Sequence, residues 1–239
     1  MFNILNPIYK RLLLKISGEA LAGDQKFGID FSTLKNLAKE IKKCHDMGTE
    51  IAVVVGGGNF WRGRSSGQMN RVKADHMGML ATVMNAVALS EALINEKADA
   101  KVMTSINFPQ IGELYSPEKA VNYLTQGKIT VFGYGTGSAF FTTDTAASLR
   151  ASEISAEAIF KATNIDGIYD SDPSTNKNAK KYLEVSFEEV LSKNLKVMDS
   201  TAASMCRDNN ISVHVFNMDN PENIVLELLG KHLGTIAKP

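Results

Sequence analysis

The chain has 239 residues, 44% of them apolar and 22% charged, and 26 Lys+Arg balance 26 Asp+Glu. These totals suit one large α/β domain, or two lobes around a cleft, with ample core, and they are those of an ordinary globular protein. A net charge of zero with no basic stripe argues against nucleic acid as the main partner.

Short β-branched runs alternate with longer amphipathic stretches along the chain. Strands are expected over 12–16, 51–55, 101–104, 129–132, 158–161 and 212–216. Helices are expected over 32–47, 73–95, 117–124, 146–152, 187–191, 200–209 and 221–229. The opening run Leu12-Leu13-Leu14, flanked by Arg11 and Lys15, is too short for the core of a signal peptide. Nothing reads as a membrane span, so a cytoplasmic protein is expected. In the first helix Leu34, Leu37, Ala38 and Ile41 repeat at helical spacing and face a core. Asp30 or Ser32 suits its start, and Gly48 its end. Cys44 and Cys206 lie far apart without metal-ligand spacing, as buried free thiols would. The stretch 169–181, rich in Ser, Asp, Asn and Lys, reads as a loop that could act as a flap. Strand and helix in alternation imply right-handed crossovers and a three-layer α/β/α fold with a mostly parallel central sheet. Ligands of such sheets gather at the carboxyl ends of the strands.

Three of those ends carry glycine. The first strand runs into Lys15-Ile16-Ser17-Gly18-Glu19, and the second into Gly56-Gly57-Gly58-Asn59-Phe60-Trp61-Arg62-Gly63. The fourth runs into Gly133-Tyr134-Gly135-Thr136-Gly137-Ser138-Ala139-Phe140-Phe141-Thr142-Thr143-Asp144. Glycine lets successive backbone N–H groups turn inward around an anion, and a following helix adds its free N-terminal donors. One such loop is often a plain turn; three at strand ends, two of them bearing Lys15 and Arg62, point to phosphates. No GxxxxGK[ST] is present, Trp61 stands where a dinucleotide fingerprint needs its last glycine, and HRD and DFG are missing. A P-loop NTPase, a Rossmann oxidoreductase and a protein kinase are thereby disfavoured. Two phosphate sites meeting end to end suit phosphoryl transfer, which needs positioning and cations more than a general base. An acceptor phosphate is already ionised. The cations at hand are Lys15, Arg62 and a Mg²⁺ carried by the nucleotide.

With these residues collected, the chain resembles the bacterial UMP kinases of the amino acid kinase superfamily. The resemblance runs from Tyr9-Lys10-Arg11 to Gly234-Thr235 and includes Met69-Asn70-Arg71, the stretch 75–82, the block 161–167, Lys196-Val197-Met198-Asp199 and Val215-Phe216-Asn217. It implies one amino acid kinase domain over 1–239, with an acceptor-binding part near 1–155 and an ATP-binding part near 156–239. It implies that Lys15 bridges the donor and acceptor phosphates, with Ser17 and Gly18 shaping the nest, and that Gly58 and Arg62 meet the transferring phosphates. Asp144 organises Lys15, although a plain helix-capping role is the bland alternative. Gly57 touches UMP, Asp75 takes its ribose, and Thr136, Gly137, Ser138, Ala139, Phe140, Phe141, Thr142 and Thr143 wrap the base and phosphate. Lys161, Thr163, Tyr169 and Asp172 serve ATP. No protein metal cage is implied. The family is also expected to form a homohexamer, with the 73–95 helix as a subunit surface. Inhibition by UTP is implied as well.

Two departures stand out. The family's acceptor loop usually reads GTGNPFFTTD; here Ser138-Ala139 replaces the asparagine and proline, so a looser loop is expected. Positions that tend to be basic or aromatic in GTP-activated members are Ser90, Glu91, Ile94, Lys101, Pro117 and Lys128. GTP activation is accordingly in doubt, although Gly23–Gly28 is compatible with it. A sister enzyme acting on a carboxylate or carbamate, and a nucleotide-binding module without catalysis, are the rival readings. Both fit the residues around Asp75, Lys15, Arg62 and Asp144 less well.

Overall fold

The computed structural model describes residues 6–61 and 69–239. In chain order the elements are β1 (Arg11–Ile16), α1 (Gly18–Ala22), α2 (Phe31–Asp46), β2 (Glu50–Val55), α3 (Arg71–Asn95), β3 (Ala100–Thr104) and β4 (Glu113–Leu114). There follow α4 (Pro117–Thr125), β5 (Ile129–Gly133), α5 (Thr143–Glu153), β6 (Ala158–Thr163), β7 (Glu184–Ser186) and α6 (Phe187–Ser192). The chain closes with α7 (Ser200–Asp208), β8 (Ser212–Asn217), α8 (Asn223–Leu228) and β9 (Thr235–Lys238). The nine strands form one sheet in the order β4-β3-β5-β2-β1-β6-β8-β9-β7. All neighbours run parallel except β8 and β9. This is the α/β/α architecture expected.

Polar caps set the helix starts. Asp30, Asn70, Ser116, Thr142, Ser186 and Asp199 each accept a backbone N–H from the first turn of their helix. The cap of α2 is Asp30, which accepts from Thr33 N at 2.7 Å, and Ser32 Oγ donates to the same carboxylate at 2.5 Å. Helix α5 begins three residues earlier than its apolar pattern predicts, because Thr142 caps it and polar Thr143 and Asp144 form its first turn. The elements absent from the expectation are α1, β4, β7 and β9, all too short for a period to register.

The strand pleat sorts side chains to opposite faces. Leu12, Leu14 and Ile16 of β1 join a core with α2 residues Leu34, Leu37 and Ile41. Leu13 joins a second core with α5 residues Ala146, Ala147 and Ala151. Both cysteines are free and buried, and burial pushes their thiols up, Cys44 to about 12 and Cys206 to about 11.

One correction concerns α3. Its 25 residues include an 18-residue window of mean hydropathy 1.6, enough by length and composition to cross a bilayer, which the pattern reading passed over. In the fold its buried face carries Leu89, Leu93, Asn85 and Ser90, and Thr82 Oγ1 accepts from Tyr134 N at 2.8 Å. The opposite side leaves Met77, Leu80, Met84, Val87 and Ile94 exposed in a stripe.

Candidate active site

Sheet order reverses at β1, with β2 on one side and β6 on the other, and the glycine loops open at this switch point. Strand register does the rest. Lys15 is paired with Lys161 on β6, and alternation sends both side chains to the face covered by α5. Two ammonium groups side by side repel unless an anion lies between them. Asp144, in the first turn of α5, is that anion. Its Oδ2 accepts from Lys161 Nζ at 2.5 Å, and Lys15 Nζ lies 3.0 Å from Oδ1, at ion-pair distance but off hydrogen-bond geometry.

Burial alone would raise the Asp144 pKa. The charges of Lys15 and Lys161 outweigh it and hold the carboxyl below the ordinary aspartate value. Lys161, only 7% exposed, is lowered by its own burial and then by the charge of Lys15, against the pull of Asp144. The capping alternative for Asp144 is excluded by geometry. Thr142 Oγ1 takes the N–H groups of Asp144 and Thr145 at 3.1 and 3.2 Å, which leaves the Asp144 carboxylate to the lysines.

The expected acceptor residues gather beside this triad. Gly57, Asp75, Thr136, Phe141, Thr142 and Thr143 line a cavity of about 220 Å³, together with Gly58, Trp61, Arg71, Gly78, Met79, Thr82 and Gly135. Gly57 must be glycine, because a Cβ there would stand 2.7 Å from the Gly78 carbonyl on α3. Asp75 accepts both Arg71 Nε (2.8 and 2.9 Å) and the backbone N–H of Phe140 (2.8 Å), which draws the acceptor loop onto α3. Gly137, Ser138, Ala139 and Phe140 do not line the cavity. Phe140, 64% exposed, lies under the Arg71 guanidinium at 5.6 Å.

Ala139 lies outside the positive-φ region, and its N–H makes no hydrogen bond among the described residues. If the loop closes on UMP as the resemblance implies, Ala139→Pro stiffens it and lowers the KM for that nucleotide by about two- to fivefold. An unchanged KM in steady-state assays would show that the loop is not loose.

The expected donor residues divide. Ser17 and Thr163 line a cavity of about 550 Å³ with Glu19, Asp24, Asn164 and Asp219. Tyr169 and Asp172 line another of about 410 Å³ with Ile165, Gly167, Leu195 and Lys196. Tyr169 OH donates to Asp166, and Asp172 accepts from Ser174 N at 2.9 Å. The 169–181 stretch closes on itself through a bridge between Tyr169 and Lys181. Arg62, expected at the transferring phosphates, lies outside the described residues.

Two features escaped the sequence reading. Asp199, cap of α7, accepts from the hydroxyls of Thr142 and Thr145 and so ties α7 to the start of α5. The Asp199 position was visible within the Lys196–Asp199 block, but no spacing rule joins it to Thr142. Trp61 donates Nε1 to the Ala74 carbonyl at 2.9 Å and forms a wall of the acceptor cavity.

A cationic pair bridged by one carboxylate, with a net positive charge left over beside glycine loops at a sheet switch point, suits a phosphate-handling α/β protein. Residues 10–217 match the model of the amino acid kinase family, and the chain belongs to that family. Among solved structures it is similar to the UMP kinase of Bacillus anthracis, at 39% identity and a TM-score of 0.93, with 96% of each chain covered. It is similar to the UMP kinase of Ureaplasma parvum at 38% identity and a TM-score of 0.92, over 96% of this chain and 99% of that one. The uridylate kinase of Archaeoglobus fulgidus matches at 26% identity and a TM-score of 0.71, over 95% of this chain and 99% of that one.

Proposed function

We infer that this chain is a UMP kinase, moving the γ-phosphoryl group of ATP to UMP and back, in pyrimidine nucleotide synthesis. The observation that carries the reading is the Lys15–Asp144–Lys161 triad beside a cavity floored by Asp75. The two solved bacterial UMP kinases, similar over nearly the whole chain, support the acceptor.

In this reading Lys15 lies between the two nucleotides and neutralises charge on the group in flight, with Lys161 behind it, and Arg62 is assigned to the transferring phosphates by its place in the sequence alone. Asp144 holds both lysines in place. No general base is needed, since the acceptor oxygen of UMP is already ionised and in-line attack requires alignment. Asp75 exchanges its bond to Phe140 N for the ribose hydroxyls. Phosphoryl-transfer enzymes usually bind Mg²⁺ through substrate phosphates and one or two carboxylates. Asp144 Oδ1, buried and without a hydrogen bond, fits an ion or its water shell. The metal would supply further neutralisation of phosphate charge.

The acceptor part is assigned to 1–155 and the ATP part to 156–239, the two meeting where β1 pairs β6. The exposed stripe of Met77, Leu80, Met84, Val87 and Ile94 supports α3 as a subunit surface of a homohexamer. A cytoplasmic location, inhibition by UTP through overlap of its extra phosphates with the donor, and a doubtful response to GTP complete the proposal.

The test is phosphoryl transfer from ATP·Mg²⁺ to UMP, CMP, dUMP, AMP, N-acetylglutamate, aspartate and carbamate. Strong preference for UMP is expected, with the KM for UMP raised about 10- to 100-fold in Asp75→Ala, the loss of a charged hydrogen bond. Transfer to a carboxylate or carbamate would move the chain to a sister activity, and nucleotide binding without turnover would end the kinase reading.

A further inference from the structure

Beneath the two glycine nests lies a polar cluster to which the reaction, as described, gives no task. Asn59, 1% exposed, and Asn85, fully buried, face each other between the β2 loop and α3. Each carboxamide donates to the other, Asn59 Nδ2 to Asn85 Oδ1 at 3.0 Å and Asn85 Nδ2 to Asn59 Oδ1 at 2.7 Å. Asn85 Nδ2 also donates to the Gly56 carbonyl at 2.7 Å, and Asn59 Nδ2 to the Gly28 carbonyl at 2.7 Å. Gly28 N–H returns a bond to the Asn59 carbonyl at 3.1 Å. The pair is fully satisfied, as a buried polar network must be.

The cluster reaches both nests. Gly56 opens the loop after β2. Gly18, in the loop after β1, rests on the Asn59 carboxamide so closely that a Cβ would stand 2.6 Å from Asn59 Oδ1 and 2.6 Å from the Gly56 carbonyl. Two apolar side chains would fill the same space without burying a carboxamide, at the cost of the donors that satisfy the Gly56 and Gly28 carbonyls. They would not fix the direction and length of the link between the loops, which hydrogen bonds do.

We propose that Asn59 and Asn85 are positioning residues for phosphoryl transfer, holding the nest after β1 and the nest after β2 at the separation the reaction needs. The proposal rests on the reading of this site as that of a UMP kinase. Neither amide lines the cavities beside the triad; both act through Gly18, Gly56 and the N–H groups of the loop. Each nest binds its own phosphate at any spacing, so the penalty for a wrong spacing falls on transfer. A misplacement of about 1 Å can slow such a step about a hundredfold.

The experiment measures kcat and the KM of ATP and of UMP for wild type, Asn85→Leu and the double variant Asn59→Leu/Asn85→Leu, below the Tm of each. Asn85→Leu strips Asn59 of its amide partner, leaving it only the Gly28 carbonyl, takes the Asn85 donor from the Gly56 carbonyl, and lowers the Tm. The double variant removes both amides, and part of the Tm returns. A positioning role predicts kcat reduced about tenfold or more in both variants, with either KM within about threefold of wild type. A kcat that returns with the Tm, or a loss confined to KM, overturns the proposal. Asn85→Ala replaces Asn85→Leu if the latter does not fold. Wild-type turnover of UMP is the control. Its absence removes the kinase reading, whereas wild-type turnover beside unimpaired variants removes only the positioning role.

Discussion

Lys15→Ala lowers kcat for phosphoryl transfer to UMP by about 100- to 1,000-fold, the loss expected when a preorganised donor is taken from a developing charge. The KM for UMP should change little, because the proposed acceptor residues, Asp75 and the loop after β5, line a separate cavity on the α3 side that does not include Lys15. The expected effect on stability is far smaller than the effect on rate. Lys15 lowers the pKa of Lys161 by its charge and holds Asp144 ionised, so removing it relieves a repulsion and loses an ion pair while Asp144 keeps Lys161 as its counter-ion. The Tm should therefore change little while turnover collapses. Steady-state kinetics and a thermal melt on the same preparation decide the matter. A Lys15→Ala enzyme with kcat within about tenfold of wild type would remove Lys15 from the reacting centre.

Asp144→Asn strikes the same triad from the other side, and here rate and stability fall together. Two largely buried ammonium groups lose their shared anion, the situation in which breaking a buried pair costs about 3–5 kcal/mol. For a chain of this size that corresponds to a Tm lower by about 6–20 °C. Lys161, already lowered by burial and by Lys15, loses the one partner that raises its pKa through both charge and hydrogen bonding, and it deprotonates at lower pH. The alkaline limb of the kcat profile should move down accordingly. The acid limb of stability carries a second sign. The folded Asp144 carboxyl is depressed, so its contribution is complete above the ordinary aspartate pKa of 3.8 and is lost as pH falls through the folded value. Unfolding followed from pH 7 into acid should show that loss in wild type and lack it in Asp144→Asn. An Asn variant with wild-type Tm and an unchanged acid limb would mean that the three charges do not act as one unit.

Much of this was legible in the chain. Six strands and seven helices announced themselves through period, and glycine loops after three strands pointed to phosphates, because a nest is a backbone device written in residues without side chains. The motif blocks spread along the chain carried the family. Local chemistry also narrowed the cap of α2 to Asp30 or Ser32, of which the structure uses Asp30.

What the chain order could not express is which residues meet. Lys15 and Lys161 stand 146 positions apart, and only the pairing of β1 with β6 makes them neighbours on one face. Asp144 reads equally as a cap or an organiser until Thr142 is seen to cap and the two lysines are seen to converge. Asp199 joins the acceptor loop only through the packing of α7 against α5, and Asn59 meets Asn85 only because α3 crosses beneath the β2 loop. The apolar length of α3 is equally silent about whether protein or lipid covers it. Periodicity and turn chemistry are short-range properties of the backbone and were therefore determined by the sequence. Charge pairing, amide pairing and burial depend on strand order and register, which arise from the simultaneous closure of both cores, and these only the tertiary structure decided.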